Sequence, residues 1–260
     1  MVGSIVLLLH ITYLSTLNVA LFIPCYIDQF YPQVAIATLE LLEGLGCKVS
    51  YPSQQTCCGQ PMANSGFEHL ADSCNKLFVK NFAGYDYIVS PSGSCTLHIK
   101  DHLHTDEHTE AETQIRQRVY ELTEFLIDVL KVDKLTARFP YKVGVHQSCH
   151  GQRGLHLSQM SELNAAPYSK PGALLNMVKD LELITLDRPD ECCGFGGTFC
   201  VAEEAVSAKM GKDRVADHVK HHADFITAAD MSCLMHLEGI LKRQKSKTRI
   251  IHIAEILNAK

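Results

Sequence analysis

The sequence contains no tryptophan, no concentrated basic stripe and no strong excess of either charge, with 24 Lys and Arg against 29 Asp and Glu in 260 residues. A chain without a basic stripe lacks the surface that holds a nucleic acid backbone, so nucleic acid is not expected as a partner. Charged residues make up only 20% of the chain, and hydrophobic residues make up 46%. This balance excludes disordered, collagen-like and coiled-coil proteins and predicts a substantial core.

Basic residues are also absent before Lys48, although residues 2–17 are strongly apolar. A secretory signal peptide needs a positive n-region and a small-residue cleavage site, and a membrane anchor needs flanking Lys or Arg to orient it. The sequence offers none of these features. We therefore expect residues 1–17 to form an apolar N-terminal extension, without a stable membrane span, on a cytoplasmic protein whose fold begins near Leu17 or Asn18.

Short apolar runs alternate with helical stretches along the chain, which is the pattern of a parallel α/β sheet. The first series has strands at residues 18–23, 48–51 and 87–89 and helices at residues 32–45, 66–82, 95–102 and 111–131. The second series has strands at residues 142–146, 183–186, 224–227 and 249–253 and helices at residues 171–179, 202–221 and 231–242. No Gly-x-Gly-x-x-Gly motif follows the first strand, so NAD binding has no support.

The repeated order predicts an α/β fold with two similar parallel-sheet, Rossmann-like halves. We place the first half at residues 18–104 and the second at residues 140–260. Residues 105–139 form the predicted connecting helical segment, and the helix expected over residues 111–131 is charged enough to face solvent.

Eleven cysteines are spread over this long, otherwise ordinary chain, which argues against a disulfide-rich secreted scaffold, and an odd number cannot all pair. Eight of them follow the repeat, each after a strand: Cys25, Cys57, Cys58 and Cys95, then Cys149, Cys192, Cys193 and Cys233. The intervening segments are 31 and 36 residues long in the first half and 42 and 39 in the second. This matched placement predicts one cysteine site in each half. The other three, Cys47, Cys74 and Cys200, are interpreted as buried or incidental.

The positions of these cysteines favour a metal cofactor. The carboxyl ends of neighbouring parallel strands meet at one edge of a sheet, so their loops can bring four thiolates to one point. Four thiolates bind a soft metal or an iron–sulfur cluster, and adjacent cysteines suit a multi-iron centre better than a zinc knuckle, whose ligands usually come as Cys-x-x-Cys. Gly59 and Gly194 follow the two pairs and allow a positive φ beside a bulky cofactor. Buried structural thiols and a repeated disulfide are the alternative interpretations.

Five segments of the sequence carry a resemblance to a known family. They are PCYIDQFYP at residues 24–32, QTCCGQP at 55–61, SPSGSC at 90–95, HQSCH at 146–150 and CCGFGG at 192–197. With these segments the chain resembles the cysteine-rich or CCG domain proteins over residues 18–258. That family includes the cysteine-rich subunit of heterodisulfide reductase, the iron–sulfur subunit of glycolate oxidase and, with the closest resemblance, the lactate utilization protein A group.

The resemblance implies an iron–sulfur protein with clusters of the 4Fe-4S type held by the eight repeated cysteines. It implies an oxidoreductase subunit that transfers electrons during the oxidation of L-lactate, a 2-hydroxy acid, to pyruvate. The implied partners are a ferredoxin-like iron–sulfur subunit and a third lactate utilization protein, with the small 2-hydroxy acid as substrate of the complex.

The sequence departs from the family pattern at two matched positions. The family ends each half with Cys-x-x-Cys, whereas Ser92 and Asp230 replace the first of those cysteines here. A cluster assembly that needs five thiolates is therefore in doubt, while four cysteines per half suffice for a conventional 4Fe-4S cluster. Ser92 and Asp230 are candidates either for accessory oxygen ligands or for loop caps and hydrogen-bonding residues.

The sequence offers candidate catalytic residues and leaves their roles open. His146 and His150 flank Cys149 and are candidates for an iron ligand, a hydrogen-bond donor that tunes the potential, or a base, with a spectator role as the alternative. Arg153 is a candidate for clamping a substrate carboxylate, with surface or packing use as the alternative. A further group, His98, His102, His104 and His108, resembles a metal-binding tract, but its acidic neighbours favour a solvated helix end.

Two other functions compete with electron transfer. One is a thiol–disulfide oxidoreductase like the heterodisulfide reductases. The other is a structural or sensory metal-binding protein in which zinc holds the two halves together. Iron and acid-labile sulfide analysis with EPR spectroscopy separates the three.

Overall fold

The computed structural model describes residues 17–105 and 109–260. The predicted apolar extension, apart from the buried Leu17, lies outside the described residues, as does His108. Within the part of the chain that the structure describes, no helix is both long and apolar enough to cross a bilayer.

Two four-stranded sheets with the same strand order form the frame. The first contains β1 (Asn18–Leu21), β2 (Lys48–Ser50), β3 (Tyr87–Ser90) and β4 (Val119–Glu121), ordered β2-β1-β3-β4. The second contains β5 (Lys142–Val145), β6 (Glu182–Leu183), β7 (Phe225–Ala228) and β8 (Arg249–His252), ordered β6-β5-β7-β8. Every strand pair in both sheets is parallel, so the predicted α/β fold of two similar halves is confirmed.

Helices follow the strands in both halves. The first half contains α1 (Cys25–Phe30), α2 (Pro32–Gly44), α3 (Gln60–Asn64), α4 (Asp72–Phe82), α5 (Gly93–His102), α6 (Glu110–Arg118) and α7 (Leu122–Glu124), with a 3-10 turn at Glu68–Ala71. The second contains α8 (Lys170–Leu175), α9 (Phe199–Ala202), α10 (Glu204–Lys220), α11 (Met231–Arg243) and α12 (Ile253–Leu257). Two π-helical turns lie at Phe125–Val129 and His150–Gly154. Pro32 starts α2, where its fixed φ suits the first helical turn.

The fourth strands show how closely the halves correspond. Each ends in a capping box, formed by Glu121 with Glu124 in the first half and by His252 with Glu255 in the second. In each box the side chain and the backbone satisfy each other's unpaired groups at a helix start. The duplication therefore extends to the last strand and the start of the following helix.

The prediction of one solvent-facing helix over residues 111–131 is wrong. The chain leaves α6 at Arg118, and β4 pairs with β3, placing Val119 opposite Ile88. Phe125 and Leu126 are then fully buried in a core cluster that contains residues of both halves. The apolar side chains of this segment therefore belong to the core that the two halves share and do not face solvent.

The last helix also joins the halves. α12 packs against α2 of the first half, and the Asn258 side-chain amide donates to Glu40 Oε2 at 2.7 Å. The two sheets therefore share one continuous core, which fixes the relative position of their cysteine-bearing edges.

Candidate functional site

In the first half, four cysteines meet at the carboxyl edge of the sheet. Cys25 begins α1 after β1, Cys57 and Cys58 lie in the loop between β2 and α3, and Cys95 lies in the first turn of α5. Cys25 is in hydrogen-bonding contact with Cys57, Cys57 with Cys58, and Cys58 with Cys95. The loops thus bring the four predicted thiols into one connected group, which we call the first site.

The second half repeats this arrangement. Cys149 is in hydrogen-bonding contact with Cys192, Cys192 with Cys193, and Cys193 with Cys233, and we call this group the second site. Cys149 is exposed, whereas Cys193 and Cys233 are buried. All eleven thiols of the chain are free, including the three outside the repeat, Cys47, Cys74 and Cys200. The order of contacts along the chain is the same in both sites.

The glycine after each cysteine pair has the positive φ expected from the sequence. Gly59 and Gly194 adopt φ values of 91° and 84°, which glycine takes without the steric cost of a Cβ. The Gly59 N–H donates to Sγ of Cys57, and the Gly194 N–H donates to Sγ of Cys192, both at 3.4 Å. Each glycine therefore closes the loop and directs a backbone dipole at the first sulfur of the pair.

In each site the neighbouring thiols lower the pKa of one cysteine. Hydrogen bonds from neighbouring thiols lower the pKa of Cys57 and of Cys192 to about 2. The same contacts raise the pKa of Cys25 and Cys149, because each shares its proton with the adjacent sulfur. The four thiols of each site therefore compete for their protons, and a metal that bound all four sulfurs would have to release those that remain.

The donor set fits an iron–sulfur group. Each site offers four sulfur atoms linked by successive contacts, and thiolates are the ligands that hold iron–sulfur clusters and other soft metals. Cys58 and Cys193, the second members of the pairs, are only 3% and 2% exposed, so one side of each site is shielded from water. The residues that would hold the group are thus the eight that the sequence repeat predicts.

Ser92 and Asp230, the two departures from the family pattern, touch each other across the halves. The Ser92 hydroxyl donates to Asp230 Oδ1 at 2.9 Å, and the Ser94 N–H donates to both carboxylate oxygens at 3.0 and 3.1 Å. The hydroxyls of Ser94 and Ser148 donate to the same carboxylate, which is 1% exposed. Asp230 thus caps helix α5 of the opposite half. These contacts favour the hydrogen-bonding interpretation, and the accessory-ligand role stays a prediction.

His146 lies against the second site. It directly follows β5 and is 2% exposed, and a ring nitrogen lies within 4.8 Å of the sulfurs of Cys193 and Cys233. Both ring nitrogens find no hydrogen-bond partner among the described residues. The imidazole is therefore within reach of the cysteine sulfurs, as the sequence suggested.

His150 and Arg153 lie nearer the surface. The Nδ1 atom of His150 is 3.9 Å from Sγ of Cys149. The half-exposed Arg153 guanidinium forms an ion pair with Glu162, which raises the arginine pKa. A substrate carboxylate that used Arg153 would therefore have to displace a carboxylate of the chain itself.

The repeat also relates a second pair of histidines, of which His98 was assigned to a solvated helix end and His236 was not identified. His98 and His236 each lie three residues after the last cysteine of their site, and burial lowers the pKa of both. His98 is 5% exposed, so its assignment to a solvated helix end is wrong, because its face of α5 turns toward the protein interior. The assignment holds for His102, whose side chain is half exposed and bonded to Glu68. The shared spacing was the signal that could have identified the pair.

These features define a class: a duplicated α/β protein with four contacting cysteines at the carboxyl edge of each sheet. The family model described as "CCG: Cysteine-rich domain" matches residues 19–100 and 143–238. A protein named "Lactate utilization protein A" from Geobacillus kaustophilus is 42% identical over 248 residues, covering 94% of this chain and all of the relative. Its namesake from an Exiguobacterium species is 41% identical, covering 93% of this chain and 97% of the relative.

The chain belongs to the CCG cysteine-rich domain family and, within it, to the group of the lactate utilization A proteins. Among solved structures, a hypothetical protein from Helicobacter pylori is similar with a TM-score of 0.56 and 15% identity. That match covers 93% of this chain and 48% of the other and shows a shared fold.

Proposed function

We propose that the chain is an iron–sulfur electron-transfer subunit of a complex that oxidises L-lactate, a 2-hydroxy acid, to pyruvate. The observation that carries the proposal is the pair of matched four-cysteine sites, in a chain about 40% identical to lactate utilization A proteins over nearly its full length. When bound, a 4Fe-4S cluster supplies a one-electron carrier.

The chain's own residues prepare the two sites for such a group. The first would be held by Cys25, Cys57, Cys58 and Cys95, and the second by Cys149, Cys192, Cys193 and Cys233. Contacts with neighbouring thiols lower the pKa of Cys57 and of Cys192, which favours the thiolate form that a metal binds. The N–H groups of Gly59 and Gly194 stabilise negative charge on those sulfurs.

The number of proposed cluster sites equals the number of electrons that the reaction releases. Oxidation of lactate to pyruvate releases two electrons and two protons, and two one-electron sites in one chain match that electron count. The exposed Cys149 brings the second site to the surface, where a redox partner can approach. We propose as partners a ferredoxin-like iron–sulfur subunit and a third lactate utilization protein, acting in the cytoplasm. His146, His150 and Arg153 are the candidates for contact with the hydroxy acid.

The proposal predicts that L-lactate reduces the chain only in the presence of its partners. We expect the visible absorbance of the anaerobically purified chain to bleach when L-lactate and both partner proteins are added. Omission of either partner should leave the absorbance unchanged. The control is a complex assembled with the double variant Cys58→Ser and Cys193→Ser, which should form less than about a tenth of the pyruvate because both sites are broken. Full pyruvate formation by that complex would contradict the proposal.

Thiol–disulfide chemistry is a second candidate, favoured by free thiols in contact within each site, which lower the pKa of Cys57 and of Cys192. A thiolate is the attacking species in disulfide exchange, but its nucleophilicity falls with its pKa. Disulfide reduction by the metal-free chain, lost in Cys57→Ser and Cys192→Ser, would support this candidate over electron transfer.

A further inference from the structure

One buried position has different chemistry in the two halves. Phe22 and His146 each follow the last residue of a central strand, β1 and β5. The Phe22 N–H donates to the Val89 carbonyl at 2.9 Å, and the His146 N–H donates to the Thr227 carbonyl at 2.7 Å. Val89 and Thr227 hold the same register in β3 and β7. Phe22 and His146 are therefore structural equivalents.

In the first half this position belongs to an aromatic cluster. Phe78 and Phe82, one turn apart on α4, pack on Phe22 with ring centroids at 4.9 and 5.7 Å. All three rings are buried, at 4% exposure or less. An apolar trio thus fills the space between sheet and helix in the first half.

In the second half, polar residues occupy the corresponding place. Arg214 and His218, one turn apart on α10, are fully buried. The Arg214 guanidinium donates to the carbonyls of Arg188 and Val145 at 2.5 and 3.2 Å. The bond to Val145, which directly precedes His146, and the one-turn spacing from His218 place the three side chains together.

Several hydrogen-bonding atoms of this polar trio, His146, Arg214 and His218, have no partner among the described residues. Nε of Arg214 and both ring nitrogens of His146 and of His218 find no hydrogen-bond partner in the described ranges. A buried polar group without a partner costs about 1–3 kcal/mol, and such groups are rare in native structures. The first half shows that phenylalanines fit the same frame. The presence of the polar trio at this position therefore indicates a function beyond packing.

The trio is next to the second site. His146 reaches within 4.8 Å of the sulfurs of Cys193 and Cys233. Asp217 is the acidic residue nearest the guanidinium, at 3.5 Å, but its oxygens also accept from backbone N–H groups at 3.0 and 3.1 Å and so remain partly engaged elsewhere. Each site has an at least partly buried imidazole three residues after its last cysteine, His98 or His236. The second site has in addition a cation and two imidazoles that lack a partner among the described residues, where the first has phenyl rings.

We propose that His146, supported by Arg214 and His218, gives the second site a higher reduction potential than the first. Reduction adds a negative charge, and a buried cation together with an imidazole within 4.8 Å of the ligand sulfurs stabilises that charge in a low dielectric. A chain that has received one electron then carries it on the second site, which is reduced, while the first site stays oxidised. The inference rests on the proposed function, since it requires an iron–sulfur cluster at both sites.

The test is an EPR-monitored redox titration of each site alone. The second site is isolated in Cys58→Ser and the first in Cys193→Ser. At the potential where the second site is half reduced, we expect about a tenth of the first site or less to be reduced. A tenfold change in the ratio of reduced to oxidised cluster corresponds to about 59 mV for one electron. Equal potentials, or a higher potential at the first site, would overturn the inference.

Replacing His146 with phenylalanine, the residue at the equivalent position of the first half, tests whether His146 causes the difference in potential. In the Cys58→Ser background, His146→Phe should shift the reduction equilibrium of the second site about tenfold toward the oxidised form. His146→Gln, which keeps an N–H donor, should restore part of the shift. In the Cys193→Ser background His146→Phe should leave the first site unchanged. An unaltered second-site titration in His146→Phe would refute the role of His146. A chain that binds no iron at either site would defeat the proposed function as well, whereas iron-loaded sites of equal potential defeat this inference alone.

Discussion

Replacing Cys58 with serine is expected to empty the first site and leave the second filled, so that iron and acid-labile sulfide per chain fall by about half. Cys58 is the connecting member of its site, in contact with both Cys57 and Cys95, and is 3% exposed. A serine hydroxyl is a harder donor that stays protonated, so it does not replace a buried thiolate. Cys193→Ser should have the same effect on the second site, and the double variant should bind neither cluster.

The matched control is Cys74→Ser, which changes a partly exposed thiol outside both sites. It should keep the full iron content and the EPR spectrum of the unaltered chain. EPR of the reduced single variants should show one signal each, and the two signals should sum to that of the unaltered chain. Unchanged iron in Cys58→Ser and Cys193→Ser would show that the ligands lie elsewhere.

Replacing Asp230 with alanine is expected to lower the free energy of unfolding by about 3–5 kcal/mol, a large part of the 5–15 kcal/mol that stabilises a typical domain. The buried carboxylate accepts hydrogen bonds from Ser92 and Ser94 of the first half and from Ser148 of the second. Its loss removes the acceptor of all these donors. Urea unfolding of the purified variants measures the change. Asp224→Ala is the control, because Asp224 is exposed and accepts one backbone N–H, from Lys142, so we expect a loss of about 1 kcal/mol or less.

A second substitution of Asp230 distinguishes a structural role, in which the carboxylate clamps the two halves together by hydrogen bonds, from a role as metal ligand. Asp230→Asn keeps the shape of the side chain and one acceptor oxygen, so a clamp should be weakened while both sites keep their iron. A changed EPR spectrum in Asp230→Asn, with unfolding unaffected by either substitution, would instead identify Asp230 as an accessory ligand.

Most of the fold was predictable because its strands and helices have strong periodicity. β1, β5 and β7 are short apolar runs, and the observed ends lie within two residues of the predicted ones. β4 was missed because it is only three residues long, Val119–Glu121, and follows the charged helix α6 without a turn signal. Its counterpart β8 was recognised because Ile250 and Ile251 are β-branched and apolar.

The cysteine sites could be anticipated because the repeat assigns each cysteine to the end of a strand, and a parallel sheet gathers such ends. The contact between Ser92 and Asp230 could not, since the two residues are 138 positions apart and meet only through the packing of one half on the other. Arg214 was missed for a similar reason. Within a charged helix an arginine is typical of the surface, and only the tertiary structure shows that it is buried.

The most direct test is the iron and acid-labile sulfide content of the unaltered chain, purified and reconstituted anaerobically, together with EPR of the reduced protein. We expect about eight iron atoms and eight sulfides per chain and a reduced iron–sulfur signal, as two 4Fe-4S clusters require. A colourless chain that holds only zinc after reconstitution would contradict an iron–sulfur function for the two cysteine sites.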